Sequence, residues 1–283
     1  MRSLPRYAWL GALIMVASET CMIARIEPFY TFHTPIAWTG YILLVDGLVW
    51  RSRGESWLRN APAEFLFLAI FSVPLWLVFE FYNAFIENWR YVGLPDQLVW
   101  RLFGYGWSFA TIWPAIFETG DLVSSWRDRR APPARLVARE PCERLSRWQR
   151  VSVVVGAAML LWPLVWPSRY LAAPVWLGFI FLLDPLNARA GGEALVCDLG
   201  HGRYNRVINL AWAGVICGVL WEFWNYWARA KWVYAVPIMA DWKIFEMPLA
   251  GYLGFPAFAL ECFTMYVAVR RLLWRGAPRP ISI

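Results

Sequence analysis

The chain has 283 residues, of which 59% are hydrophobic and only 17% are charged, and 21 are tryptophan. A soluble domain of this size carries more charge and fewer tryptophans, so the composition favours a membrane protein. The formal net charge of +7 does not call for nucleic acid as a partner, because the basic residues are concentrated in particular loops.

Apolar stretches long enough to cross about 30 Å of hydrocarbon recur along the chain. We predict an all-α, polytopic membrane helix bundle with about eight transmembrane helices. The predicted spans are residues 7–24, 30–50, 62–85, 98–122, 151–170, 173–187, 207–227 and 247–269. Pro174 and Pro185 bound the sixth span, which is short, so its ends are the least well defined.

Basic residues alternate along the predicted loops. Arginines are frequent at both ends of the chain and in the loops at 51–61, 123–150 and 188–206, and they are sparse in the intervening loops. Loops rich in arginine and lysine stay on the cytoplasmic side of a membrane. We therefore predict a multi-pass protein of the cell inner membrane with both termini in the cytoplasm. The five cysteines have no metal-ligand spacing, and we expect free thiols.

The two halves of the chain resemble each other. Residues 38–55 align with 176–193 at an offset of 138, and Glu80 then aligns with Glu222 at an offset of 142. Each half contributes four spans, so the two copies insert in the same direction and form parallel repeats. The predicted organisation is a first four-helix repeat at 1–125, a basic cytoplasmic linker at 126–150 and a second four-helix repeat at 151–283.

Carboxylates inside these spans are the strongest functional signal. A charged group at mid-bilayer costs about 2.5–3.5 kcal/mol on insertion scales, so each acid needs a partner or a function. Glu80 and Asn83 are spaced i, i+3, as are Glu222 and Asn225, so each pair lies on one helix face. These four residues are the candidate catalytic groups, with the asparagines positioning the glutamates.

Aromatic and acidic residues around them are the candidate substrate-binding groups. Aromatic rings can form the walls of an apolar pocket or present π faces to a cation. For any single acid, the alternative is a buried hydrogen-bond network that holds the helices together. The candidates are Trp76, Tyr82, Trp221, Trp224, Asp46, Asp184, Glu118 and Glu261.

The residues that are missing narrow the chemistry. The chain has only two histidines, which excludes histidine-rich diiron enzymes, and no lysine lies within a predicted span to form a retinal Schiff base. GxSxG, HExxH and the Walker A motif are also absent. We therefore expect no metal and no cofactor.

The repeat is similar to the membrane-embedded lycopene cyclases, a family of carotenoid cyclases with tandem-repeat domains. The similar parts are an aspartate followed by arginine and glycine, at 46–54 and at 184–192, and then a glutamate among aromatic residues, at Glu80 and Glu222. The family's Pro-x-Glu-Glu motif is only approached, since the second acid is absent here. The resemblance implies non-redox, proton-initiated cyclisation of a polyene, with a carboxylic acid as the proton donor.

Three functions remain open on the sequence alone. The first is an acid–base cyclase or isomerase that acts on a lipid-like isoprenoid. The second is a small proton-coupled transporter built from a two-fold repeat. The third is a non-catalytic membrane subunit or a scaffold for a ligand or pigment. The expected partners are membrane lipids, an apolar lipid-like ligand and other membrane proteins.

Overall fold

The structure, a computed structural model, describes residues 2–127, 146–276, 281 and 283. The helices are α1 (Arg6–Ile23), α2 (His33–Arg53), α3 (Trp57–Asn60), α4 (Pro62–Ile86), α5 (Leu98–Ala110), α6 (Ile112–Arg127), α7 (Arg147–Val165), α8 (Ala172–Arg189), α9 (Leu195–Gly200), α10 (Asn205–Trp227) and α11 (Gly254–Leu273). Short 3₁₀ helices at Arg169–Leu171 and Leu249–Leu253 precede α8 and α11. The strands are β1 (Trp89–Val92), β2 (Lys231–Tyr234), β3 (Lys243–Ile244) and β4 (Met247–Pro248).

Helices lie over every predicted span, but the fourth is divided. The chain turns at Thr111 between α5 and α6, and Pro114 in the next turn has no N–H to continue the α-helical bonding pattern. In the described part of the chain, five helical segments are long and apolar enough to cross a membrane: Pro62–Ile86, Arg147–Val165, Arg169–Arg189, Asn205–Trp227 and Leu249–Leu273. The protein is thus a mainly helical bundle with five candidate membrane spans.

Glycines allow two helix pairs to cross closely. A Cβ atom on Gly11 of α1 would lie 2.5 Å from the carbonyl oxygen of Gly40 on α2. A Cβ atom on Gly156 of α7 would lie 2.8 Å from the carbonyl oxygen of Gly178 on α8. Small residues at such crossings let backbones pack directly, which is how helices associate where lipid weakens the hydrophobic effect.

Two aspartates hold the short helices that follow α2 and α8. Asp46 Oδ2 accepts a hydrogen bond of 2.9 Å from the backbone N–H of Leu58, in the first turn of α3. Asp184 Oδ2 accepts one of 2.7 Å from the backbone N–H of Val196, in the first turn of α9. A carboxylate in this position satisfies backbone donors that have no partner inside the helix.

A two-stranded antiparallel ribbon joins the two halves of the chain at the opposite end of the bundle. In this ribbon β1 pairs with β2, with Trp89 opposite Tyr234 and Tyr91 opposite Trp232. Residues that face each other across strands, and residues two apart on a strand, point to the same face. The four aromatic side chains therefore share one face of the ribbon.

The loops around the ribbon also connect one half of the chain to the other. Glu27, between α1 and α2, forms an ion pair of 3.1 Å with Arg229, which follows α10. Glu87, which follows α4, forms an ion pair of 2.7 Å with Arg169, between α7 and α8. Hydrogen bonds to Glu27 from Thr31 and Arg229 outweigh the opposing effect of its burial and lower the pKa of its carboxyl group below the usual value.

At the other end, a buried arginine connects distant segments. Arg270 of α11 pairs with Glu64 of α4 at 3.3 Å and also with Glu193, and all three side chains are buried. Cys197 is disulfide-bonded, so the expectation of free thiols is wrong at this residue. Most of the predicted linker at 126–150 lies outside the described residues.

Candidate functional site

Glu80 lies in the last two turns of α4 and accepts hydrogen bonds from three aromatic side chains. Its Oε1 accepts from Trp76 Nε1 at 2.8 Å, from Trp89 Nε1 at 3.1 Å and from the Tyr91 hydroxyl at 2.5 Å. One donor is on the same helix and two are on β1. The carboxyl group therefore ties the helix to the ribbon.

Glu222, on α10, has the corresponding contact with β2. Its side chain is fully buried, and its Oε1 accepts a hydrogen bond of 2.8 Å from the Tyr234 hydroxyl. That hydroxyl in turn accepts one of 2.8 Å from Trp232 Nε1. A glutamate, a tyrosine and a tryptophan thus form a connected hydrogen-bond network at both sites.

The asparagines bond to the strand backbone and not to the glutamates. Asn83 Nδ2 donates to the carbonyl of Trp89 at 2.8 Å, and its Oδ1 accepts from the Trp89 N–H at 3.2 Å. Asn225 makes the same two bonds with the backbone of Trp232, at 2.8 and 2.9 Å. Each asparagine amide makes the two backbone hydrogen bonds that an adjacent strand would make. It therefore holds in place the strand that carries the tyrosine. Positioning of the glutamates by the asparagines is therefore indirect.

The two tyrosine hydroxyls remain protonated over a wide pH range. Burial raises the pKa of Tyr91 well above its usual value, and the neighbouring Glu80 carboxyl raises it further. Burial and the Glu222 carboxyl act in the same way on the pKa of Tyr234. Both tyrosines are therefore hydrogen-bond donors to their glutamates at any physiological pH.

A cavity of about 490 Å³ lies between the aromatic face of the ribbon and the helices. Small-molecule pockets typically measure about 300–1,000 Å³ and are mostly apolar, with few polar groups. Its aromatic lining consists of Phe32, Trp38, Trp76, Trp89, Tyr91, Trp100, Tyr105, Phe109, Tyr170, Trp176, Trp221, Trp232, Tyr234, Phe255 and Phe258. Among the described residues no carboxylate belongs to this lining, so Glu80 and Glu222 lie behind the rings that bond to them.

The aromatic rings that line the cavity also pack against rings from other helices. Trp176 stacks on Phe79 at a centroid distance of 5.0 Å, and Trp38 packs on Trp221 at 5.3 Å. Phe258 packs edge to face against Trp176 at 5.3 Å and lies 5.8 Å from Trp221. Phe258 therefore connects Trp176 and Trp221 in one cluster of rings.

Of the predicted substrate-binding residues, Trp76 and Trp221 line the cavity. The Trp224 ring packs on Trp38 at 4.8 Å, and its Nε1 donates to Glu19 at 2.7 Å. Tyr82 packs on Phe179 at 6.1 Å.

The other predicted acids are placed elsewhere. Glu118 and Glu261 are fully buried on α6 and α11, and Glu261 Oε1 accepts a hydrogen bond from the Phe179 N–H at 3.1 Å. Asp46 and Asp184 hold α3 and α9, away from the ribbon.

The tyrosines of the ribbon were missed as site residues. Trp89 and Tyr91 recur as Trp232 and Tyr234 at an offset of 143. The offset is one residue larger than the offset of 142 that relates the glutamates and the asparagines. This recurrence is the feature of the sequence that could have identified the two tyrosines.

Within the described residues, no group of three or more histidine, cysteine, aspartate or glutamate side chains could hold a metal ion. Comparison with protein-family models, curated proteins and solved structures finds no match to this chain.

Proposed function

We propose that the protein is an inner-membrane enzyme that binds an isoprenoid-like lipid and isomerises or cyclises it by acid–base chemistry. The observation that carries the proposal is the pair of glutamate–tyrosine contacts, Glu80 with Tyr91 and Glu222 with Tyr234, at the wall of one aromatic cavity. Each tyrosine lies between its carboxyl group and the cavity, where it can relay a proton.

Proton-initiated isomerisation needs a donor and an acceptor but no redox partner. A proton from one glutamate–tyrosine pair adds to a carbon–carbon double bond, and the electron pair of that bond forms the new C–H bond. The resulting carbocation lies against aromatic faces, which attract cations. Loss of a proton from a neighbouring carbon to the second pair restores a double bond. The first pair has then lost one proton and the second has gained one, so the two pairs exchange roles in the next turnover.

The corresponding contacts support an architecture of two parallel four-helix repeats. The glycine crossings, the aspartate contacts with α3 and α9, and the asparagine contacts with the ribbon each occur once in each half of the chain. In this proposal all eight predicted spans cross the membrane, both termini are cytoplasmic and the ribbon lies on the outer side. The arginine-rich loops at 51–61 and 188–206 are at the end opposite the ribbon, which agrees with the positive-inside rule.

A scaffold that holds a lipid or pigment without reacting is the second candidate. It is favoured by the absence of a carboxylate from the cavity lining.

The test combines extraction of bound lipids with deuterium labelling. Protein purified from its own membranes in detergent is incubated in D₂O, and the extracted lipids are analysed by mass spectrometry. We expect a bound polyene that gains deuterium with wild-type protein and not with the Glu80→Gln/Glu222→Gln variant. The matched control is Glu27→Gln, an acid in a loop near the ribbon that does not line the cavity.

Two results would count against catalysis. A polyene that stays bound but gains no deuterium with wild-type protein would establish the scaffold instead. If no polyene is bound, and the protein in liposomes shows a solute flux that the same double substitution abolishes, the protein is a transporter.

A further inference from the structure

The two halves of the cavity differ in polarity. On the side of the first repeat, the lining at the start of α2 includes Thr34 and Trp38, one helical turn apart and on the same helix face. Both residues are buried, with exposed fractions of 6% and 1%. Neither Thr34 Oγ1 nor Trp38 Nε1 has a hydrogen-bond partner among the described residues.

Buried polar atoms without partners are rare because each one costs free energy. Here the two residues share one helix face and line the same cavity, so a ligand in the cavity lies close to both side chains. The indole N–H is a donor only, and the threonine hydroxyl can donate as well as accept. Together they suit an oxygen atom of a hydroxyl or carbonyl group.

The second half of the cavity lacks this pair. At an offset of 138, Trp38 corresponds to Trp176, but Thr34 corresponds to Ala172, which has no hydroxyl. At an offset of 142, Ile112 corresponds to Gly254, and a Cβ atom on Gly254 would meet nothing within 4 Å. The second half is therefore wider and less polar along this wall.

A different polar atom lies beside the second half. Asn88 Oδ1 also has no hydrogen-bond partner in the part of the chain that the structure describes, and its Nδ2 donates to the carbonyl of Arg169 at 2.9 Å. This oxygen is an acceptor only, so it cannot substitute for the two donors on α2.

We propose that Thr34 and Trp38 form a subsite for an oxygen-bearing end of the lipid ligand, while the wider half holds its apolar remainder. The ligand class is thus a lipid alcohol or ketone of the isoprenoid type, bound in one orientation. This inference rests on the proposed function, since it names the class of molecule that the same cavity takes.

Paired probes test the subsite. The probes are all-trans-retinol, an isoprenoid alcohol that accepts energy from tryptophan, and its hydrocarbon analogue, which lacks the oxygen. Dissociation constants are measured by tryptophan quenching in detergent with the full-length protein. We expect wild-type protein to prefer the alcohol by about tenfold, the effect of about one or two hydrogen bonds.

Thr34→Val keeps the shape of the side chain and removes the hydroxyl, and Trp38→Phe removes the indole N–H. Either substitution should reduce the preference to within about threefold and leave the affinity for the hydrocarbon almost unchanged. Gly254→Ile, which narrows the other half, is the matched control. It should weaken both probes by the same factor.

The outcomes separate the subsite from the proposed function. If wild-type protein binds both probes equally, or if Thr34→Val leaves the preference intact, the subsite is refuted and the apolar cavity stands. If wild-type protein binds neither probe, both proposals fail. Trp38→Phe is interpreted only alongside Thr34→Val, because the Trp38 ring packs against three others and its loss can also disturb the fold.

Discussion

Replacement of the two asparagines tests whether they hold the ribbon in place. Asn83 takes part in three hydrogen bonds with the loop backbone, to Asn88 N, Trp89 N and Trp89 O, and Asn225 takes part in two with Trp232. A protein hydrogen bond contributes about 1 kcal/mol net, and a buried group left unpaired costs about 1–3 kcal/mol. We expect Asn83→Ala to lower the free energy of unfolding by about 3 kcal/mol and Asn225→Ala by about 2 kcal/mol.

The measurement is equilibrium unfolding in detergent, followed by circular dichroism, for each variant beside the wild type. Asn225→Asp is the informative companion, because it keeps the oxygen that accepts from Trp232 N–H and loses the N–H that donates to Trp232 O. A carboxylate facing that carbonyl is repulsive, so Asn225→Asp should be at least as destabilising as Asn225→Ala. The reasoning would be refuted if Asn225→Asp were as stable as the wild type. It would also be refuted if both alanine variants lost less than about 0.5 kcal/mol, which is typical of surface positions without specific contacts.

Three further predictions concern other parts of the bundle. Gly156→Ala should lower the free energy of unfolding by about 1–3 kcal/mol, since its Cβ would lie 2.4 Å from a backbone nitrogen of α8. Gly106→Ala is the control, because a Cβ there would meet nothing within 4 Å, and it should leave the free energy of unfolding unchanged in the same assay. Burial raises the pKa of Tyr91 and Tyr234 above the value of about 10 that they have in the unfolded chain. The free energy of unfolding is therefore unaffected by these two hydroxyls below about pH 10 and falls as the pH rises above it. Above pH 10, replacing either tyrosine with phenylalanine should make the fall of the unfolding free energy with pH less steep by about 1.4 kcal/mol per pH unit. Unfolding measured at several pH values checks this, and an unchanged slope would contradict the raised pKa values. Arg270→Met removes the cation that two buried carboxylates share and should cost about 3–5 kcal/mol in denaturant titration; a cost near zero would show that the network is not buried.

The helices were predictable because a membrane-spanning helix is set by length and hydropathy, which are local properties of the sequence. The break at Thr111 lies beside Pro114, a proline that interrupts its span and is visible in the sequence. Spacing alone placed Glu80 and Asn83 on one face, but it could not show that Asn83, near the helix end, is within reach of the following strand.

The sequence identifies only part of the candidate site, because the rest depends on contacts between distant residues. Recurrence of Glu80 at Glu222 identified the two carboxyl groups, since identical residues at one offset are visible in a sequence. Pairing of β1 with β2 brings together residues that are 139 to 145 positions apart, so the shared cavity and its tyrosine wall appear only in the folded chain. Asp46 and Asp184 were equally visible as recurring acids, yet both contact the ends of short helices.

The two loop ion pairs favour association of a first half with a second half. Glu27 and Glu87 both belong to the first half, and their partners Arg229 and Arg169 both belong to the second. Two first halves brought together in the same way would place carboxylate against carboxylate, and two second halves would place guanidinium against guanidinium. Exposed pairs of this kind add at most about 1 kcal/mol to stability, but like charges in the same positions repel. Their effect is selective: each half pairs with its complement and is repelled by a copy of itself.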